Sequence, residues 1–94
     1  MDKLIEQHRH RIVQIAKTHG LSHVRVFGSM ARGDASESSD VDLLVRAGPR
    51  TSGFDLAGLL GDVESLLGRK VDVVVDRSVH PMLKDRIFNE AVML

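Results

Sequence analysis

The chain has no cysteine, no tryptophan and no tyrosine, and only three phenylalanines in 94 residues. Without cysteine it has no disulfides and no thiolate metal sites. With aromatics at 3%, a stacking platform for single-stranded nucleic acid has too few rings to build on. Neither sign of charge prevails: thirteen Lys and Arg cancel thirteen Asp and Glu. The basic footprint of a charge-driven nucleic-acid binder is therefore missing, and no general nucleic-acid binding is expected. No apolar run has the length of a membrane span, and the opening "MDKLIEQHRHRIVQ" is too charged for a signal peptide. The expectation is a soluble, cytoplasmic protein that does not bind a membrane.

What is present suits a small folded domain. Hydrophobic residues are 43% of the chain, enough for one core at this length. No repeat, low-complexity tract or linker divides it, so residues 1–94 are expected to form a single domain. From Asp2 to His19, Ile5, Ile12, Ile15 and Ala16 fall on one side of a helix, and Gly20 stops it. "SHVRVFGS" alternates Val24 and Val26 against Arg25 and reads as a strand. "VDLLVRA" and "KVDVVVD" read as two more, with a leucine-rich helix from Phe54 to Leu67 between them, ended by Gly68. Pro81 suits the first turn of a last helix running to about Asn89. The final "AVML" could pack back on the domain or meet a partner. This order predicts an α/β (α+β) fold: a small mixed sheet of at least three strands, with helices mainly on one face.

One stretch, "FGSMARGDASESSDVDLLV", departs from this plain pattern. Asp40 and Asp42 sit two apart at an apolar strand, so they share a face with Cα atoms about 6–7 Å apart. Two carboxylates that close repel each other and need a compensating cation if buried. Hard divalent ions with oxygen ligands, Mg2+ above all, meet that need, especially where phosphate oxygens complete the coordination. Such a site wants a third carboxylate, and the third strand offers Asp72 and Asp76. Taken alone, each of these acids reads more readily as a solvent-facing strand-edge residue than as a metal ligand. Gly28 and Ser29 follow a strand and precede "MARG", a single helical turn. Gly admits a ligand close to the backbone; Ser can hydrogen-bond a phosphate or simply cap the turn. It is not a P-loop, for no Gly-Lys-Ser/Thr follows.

Together these pieces carry a resemblance. Gly28-Ser29, ten residues, then Asp40-x-Asp42 resembles the signature of the polymerase β-like nucleotidyltransferase superfamily. The fuller "GSMARGDASESSDVDLLV" resembles the minimal nucleotidyltransferase (MNT) family, and the likeness extends through "VDVVV" to the closing "NEAVML". The resemblance implies that Gly28 and Ser29 bind nucleotide phosphates and that Asp40 and Asp42 hold Mg2+, as two ions. It puts the third catalytic carboxylate on Asp72, with Asp76 as the fallback. Arg32 matches the Arg of the family's Ala-Arg-Gly and either reaches the phosphates or fixes the turn by a salt bridge. The implied reaction is attack of an acceptor hydroxyl on the α-phosphorus of ATP or another nucleoside triphosphate, with pyrophosphate leaving. Minimal members resemble antitoxins paired with an all-helical HEPN ribonuclease toxin, and the implied acceptor is a tyrosine of such a partner, within a hetero-oligomer. The alternative is an antitoxin that neutralises its partner by binding alone. Transfer to a small molecule fits less well, as no acceptor-binding domain accompanies these residues.

The remaining features read as structural. His8, His10, His19, His23 and His80 show no ligand spacing, and His8 and His19 lie near the first helix's apolar stripe. Gly58 and Gly61, inside a helix, suggest close packing against a neighbour. Arg9, Arg11 and Lys17 read as a solvated helix face, Asp34 and Glu37 as solvated loop residues, and Ser39 as orienting the loop.

Overall fold

The computed structural model describes residues Met1–Leu94. Its elements are α1 (Lys3–Thr18), β1 (Ser22–Phe27), α2 (Ser29–Arg32), β2 (Val41–Arg46), α3 (Gly53–Leu67), β3 (Val71–Val75), α4 (Pro81–Glu90) and β4 (Val92–Met93). A 3-10 turn, Asp76–Ser78, joins β3 to α4. Local chemistry marks the ends. Asp2 caps α1 by accepting from the Leu4 N–H at 2.8 Å, and Ser52 and Asp55 form a reciprocal capping box on α3. Gly68, at φ 65°, ends α3 in the left-handed conformation, and Pro81 opens α4, where its missing N–H costs nothing.

The four strands form one mixed sheet in the order β3-β2-β1-β4. β1 pairs antiparallel with β2 and β4, and β2 pairs parallel with β3. A parallel pair needs a crossover, and α3 supplies it. The fourth strand is the apolar tail: Val92 and Met93 pair with Val26 and Arg25, and the Leu94 N–H donates to the Val24 carbonyl at 2.9 Å. "AVML" thus packs back on the domain.

The period-two alternation of the strands divides the sheet into unlike faces. Val24, Val26, Val41, Leu43, Val45 and Val71 pack with Ile5, Ile12 and Ala16 of α1 and Leu59, Val63 and Leu67 of α3. Full burial of each such side chain contributes about 1.5–3 kcal/mol, and this layer holds the domain together. The alternate residues Arg25, Phe27, Asp42, Leu44, Asp72 and Val74 are turned to the opposite face. There α4 covers part of the sheet, with the Arg25 guanidinium 5.5 Å from the centroid of the Phe88 ring. The rest of this face is left open, and it carries the acids.

Two glycines inside α3 part company. A β-carbon on Gly58 would lie 2.5 Å from Cε1 and 2.7 Å from Nδ1 of His19, so close packing accounts for it. At Gly61 a β-carbon would meet nothing within 4 Å, so the expected packing role does not hold there. His19 bridges α1 to α3 through a 2.8 Å contact with Asp62 Oδ2, and His8 Nδ1 meets the Leu4 carbonyl at 2.8 Å. Arg9 corrects the expectation of a fully solvated basic face: its Nε is buried and without a hydrogen-bond partner. No helix is long and apolar enough to cross a membrane.

Candidate active site

β1 leaves the sheet at Phe27 and the chain turns sharply at Gly28 into α2. Gly28 has φ 73° and ψ −156°, a combination open essentially to glycine alone. Crowding demands glycine as well, because a β-carbon here would collide with Asp42 Oδ2 and lie 3.3 Å from Asp42 Cγ. The turn that opens the motif and the aspartate that closes it are therefore in contact. Met30, fully buried, anchors the short helix in the core, and Gly33 ends it at φ 81°. Gly28, not Ser29, is the N-cap of α2, and no side-chain hydrogen bond caps it. Ser29 is thus not a simple cap.

Asp42 and Asp72 are direct register partners across the parallel β2–β3 pair. Neighbouring strands lie about 4.8 Å apart, so the two side chains rise side by side from the same face. Asp40 stands just before β2 and is half-exposed, with Lys70 Nζ 4.0 Å from its Oδ2. Burial pushes the Asp42 carboxyl above its ordinary pKa, and the charges of Asp72, Asp40 and Glu90 push it the same way, against Arg32. Asp76 is placed elsewhere. β3 ends at Val75, and Asp76 begins the 3-10 turn, where its Oδ2 accepts from Arg46 Nε at 3.4 Å.

The surplus of negative charge around Asp42 and the hard oxygen donors of Asp40, Asp42 and Asp72 fit a divalent cation. The three side chains are not drawn into a closed cage of three ligands. They line an open sheet face, where ligand oxygens would have to complete any coordination. A hollow of about 570 Å³ lies between the end of α1 and the β2–α3 loop and shares no residue with this face.

Of the two readings of Arg32, the salt bridge is present, and it is made to two carboxylates. Its Nε donates to Asp34 Oδ2 at 3.1 Å and its Nη1 donates to Glu90 Oε1. Glu90 and then Asp34 raise the pKa of the guanidinium. Asp34 is therefore ion-paired as well as solvated. The loop to Asp40 is braced by Ser39, whose Oγ accepts from the Ser36 N–H at 2.8 Å. Arg69 braces it too, donating to the Ser36 and Ser39 carbonyls at 3.0 and 3.2 Å.

Glu90 is the member of this site that sequence reasoning missed. The last residue of α4, it accepts from the Gly28 N–H through Oε2 at 3.1 Å while its other oxygen takes Arg32. Burial works to raise its pKa, but the Arg32 and Gly28 hydrogen bonds together with the charges of Arg32 and Arg86 outweigh it and hold the carboxyl below its usual value. Sixty-two residues separate Glu90 from Gly28 in the chain. The one signal near it was the closing "NEAVML".

Comparison with known proteins agrees with this geometry. Residues 5–94 match the family model described as a nucleotidyltransferase domain. A Methanocaldococcus jannaschii protein provisionally named a protein adenylyltransferase is 44% identical over 88 residues, 94% of this chain and 95% of its own length. Protein adenylyltransferase MntA of Thermococcus cleftensis is 34% identical over 79 residues, covering 84% of this chain and 80% of that one. A solved structure described provisionally as a minimal nucleotidyltransferase superposes with a TM-score of 0.89 at 40% identity, covering 100% of this chain and 97% of that one. The same fold recurs in a toxin–antitoxin structure with AMP-PNP, at TM-score 0.77 and 23% identity over 89% of this chain and 69% of that one. It recurs again in a tri-AMPylated Shewanella oneidensis HEPN toxin in complex with MNT antitoxin, at TM-score 0.71 and 20% identity over 94% of this chain and 69% of that one. By sequence and by fold, the chain belongs to the nucleotidyltransferase domain family, among its minimal nucleotidyltransferases.

Proposed function

We propose that this protein transfers AMP from ATP to a hydroxyl group of a partner protein, a tyrosine of a HEPN ribonuclease toxin, and so acts as its antitoxin. The observation that carries the reading is the meeting of Gly28, Asp42 and Asp72 on one open sheet face. Phosphate-binding donors and a carboxylate pair are the two halves of a triphosphate site, and here they touch.

In this reading the N–H groups of the Gly28–Ser29 turn and the Ser29 hydroxyl hold the phosphates, with the Arg32 guanidinium within their reach. Asp40, Asp42 and Asp72 would hold Mg2+, which would supply charge neutralisation for the triphosphate and its leaving group. The acceptor oxygen bonds to the α-phosphorus, the bond from that phosphorus to the bridging oxygen of the β-phosphate breaks, and pyrophosphate departs with the electron pair. Asp72 takes the hydroxyl proton as general base. Register pairing with Asp42 favours Asp72 over Asp76, which is engaged with Arg46.

The names of the two archaeal relatives support AMP as the transferred group and a protein as the acceptor. The complex of AMPylated HEPN toxin with MNT antitoxin supports the partner class. The alternative is neutralisation of the partner by binding alone. Incubation with α-labelled ATP, MgCl2 and the HEPN partner separates the two. Label on the partner is the expected result; a stable complex that never acquires label would establish the binder instead.

A further inference from the structure

Glu90 stands where an anion belongs. One of its oxygens takes the Gly28 N–H and the other takes the Arg32 guanidinium. These are the donors that the proposed function assigns to the nucleotide phosphates. The Glu90 side chain is only 15% exposed, so it is packed into the turn and not a passing surface contact. It is also a negative charge beside Asp42, where Asp40 and Asp72 already crowd.

Two anions cannot use the same two donors at once. A triphosphate entering this turn meets a carboxylate already bonded there, and like charges in a half-buried site repel strongly. The Gly28 N–H has a single hydrogen to give, and Oε1 of Glu90 occupies one Nη1 hydrogen of Arg32 and the space a phosphate oxygen would take beside it. The C-terminal segment holds the carboxylate in place: Val92 and Met93 pair with β1, and the Leu94 N–H bonds the Val24 carbonyl. Glu90 is thus presented to the turn by the end of α4 on one side and by β4 on the other.

We infer that Glu90 is an internal stand-in for a nucleotide phosphate, which closes the Gly28–Arg32 cradle in the free protein and is displaced when a nucleoside triphosphate binds. The inference rests on the nucleotide-binding reading of this turn. It adds a competitor within the chain, and it ties the C-terminal segment to nucleotide occupancy. A protein that binds only when the carboxylate is released shows an affinity reduced by the fraction of molecules already open.

The test is a calorimetric titration of wild type, Glu90→Gln and Glu90→Asp with α,β-methylene-ATP in MgCl2, and separately with inorganic tripolyphosphate. Gln keeps the length and loses the charge. Asp keeps the charge but is a methylene too short to bridge both donors, and it serves should the Gln variant fold poorly. Binding of both ligands about tenfold tighter in Glu90→Gln, with a smaller gain in Glu90→Asp, is expected for a competitor held closed in about nine molecules of ten. A residue that merely braced the turn would give the opposite sign. Equal or weaker binding by the variants, with wild type binding normally, overturns the inference and leaves the nucleotide reading standing. Failure of wild type and variants alike to bind either ligand removes both.

Discussion

The carboxylate of Asp42 lies over the Cα of Gly28, in the space that any other residue's β-carbon would fill. Fourteen residues apart in the chain, the two are brought together because Phe27, the last residue of β1, is the antiparallel partner of Asp42. The strand pairing that builds the sheet thus also joins the Gly28 turn to the acidic pair. Most of the site's design depends on that one contact.

A Gly28→Ala substitution should therefore fail on two counts. The backbone conformation, φ 73° with ψ −156°, is one that residues with a β-carbon rarely adopt, at a cost of about 1–3 kcal/mol. The new methyl group would also push Asp42 aside. A loss of at least several degrees in Tm is expected in a domain of this size, with nucleotide transfer lost beyond detection. A variant of wild-type Tm and activity would show that the contact with Asp42 is dispensable.

Asp42 gives the protein a pH signature. Its pKa in the folded protein is raised above the ordinary aspartate value of 3.8, so the folded state holds the proton longer than the unfolded one does. Stability at this group is then greatest below pH 3.8 and declines as pH rises through the window between the two values. In Asp42→Asn, measured with a chelator present, that decline should be absent. The Tm difference, variant minus wild type, should grow across the window and level off above it. A difference that stays constant with pH would mean that burial and the neighbouring charges do not raise the Asp42 pKa.

Asp72 and Asp76 are separable by mutation. Asp72→Asn should abolish transfer with little change in Tm, because its side chain is exposed. Asp76→Asn should keep transfer and lose no more than about 1 kcal/mol, since the Arg46 side chain it pairs with is half in solvent. The reverse pattern in a transfer assay would move the third carboxylate to Asp76.

The two interior glycines of α3, Gly58 and Gly61, make opposite predictions from similar sequence contexts. Gly61→Ala meets open space, so the gain in helix propensity should raise stability by about 0.5–1 kcal/mol. Gly58→Ala would drive a methyl group into the His19 ring and endanger the His19–Asp62 contact. Thermal melts of both should show Gly61→Ala above wild type and Gly58→Ala at or below it.

Helices and strands are legible in the amino-acid sequence because apolar spacing announces them: Ile5, Ile12 and Ala16 at helical intervals, Val24 and Val26 in alternation. Asp40 and Asp42 are legible because residues two apart on a strand share a face whatever the tertiary structure. β4 escapes definition because two residues carry no period; only the neighbouring edge of β1 makes Val92 and Met93 a strand. Gly58 and Gly61 look alike because a glycine's neighbours across a helix interface leave no mark on local sequence. Glu90 escapes for the same reason, its partners lying far back in the chain.

The proposed nucleotidyl transfer from the acidic face to a partner protein is tested by following label from α-labelled ATP to a candidate HEPN partner. The comparison is between wild type and an Asp40→Asn, Asp42→Asn double variant whose fold is checked by circular dichroism. Label is expected on the partner with wild type and MgCl2, and none with EDTA. The double variant should lose at least about a thousandfold in rate, as expected when charge stabilisation of a phosphoryl displacement is removed. Full transfer by the folded double variant, or transfer unaffected by EDTA, would contradict a metal-dependent transferase built on these aspartates.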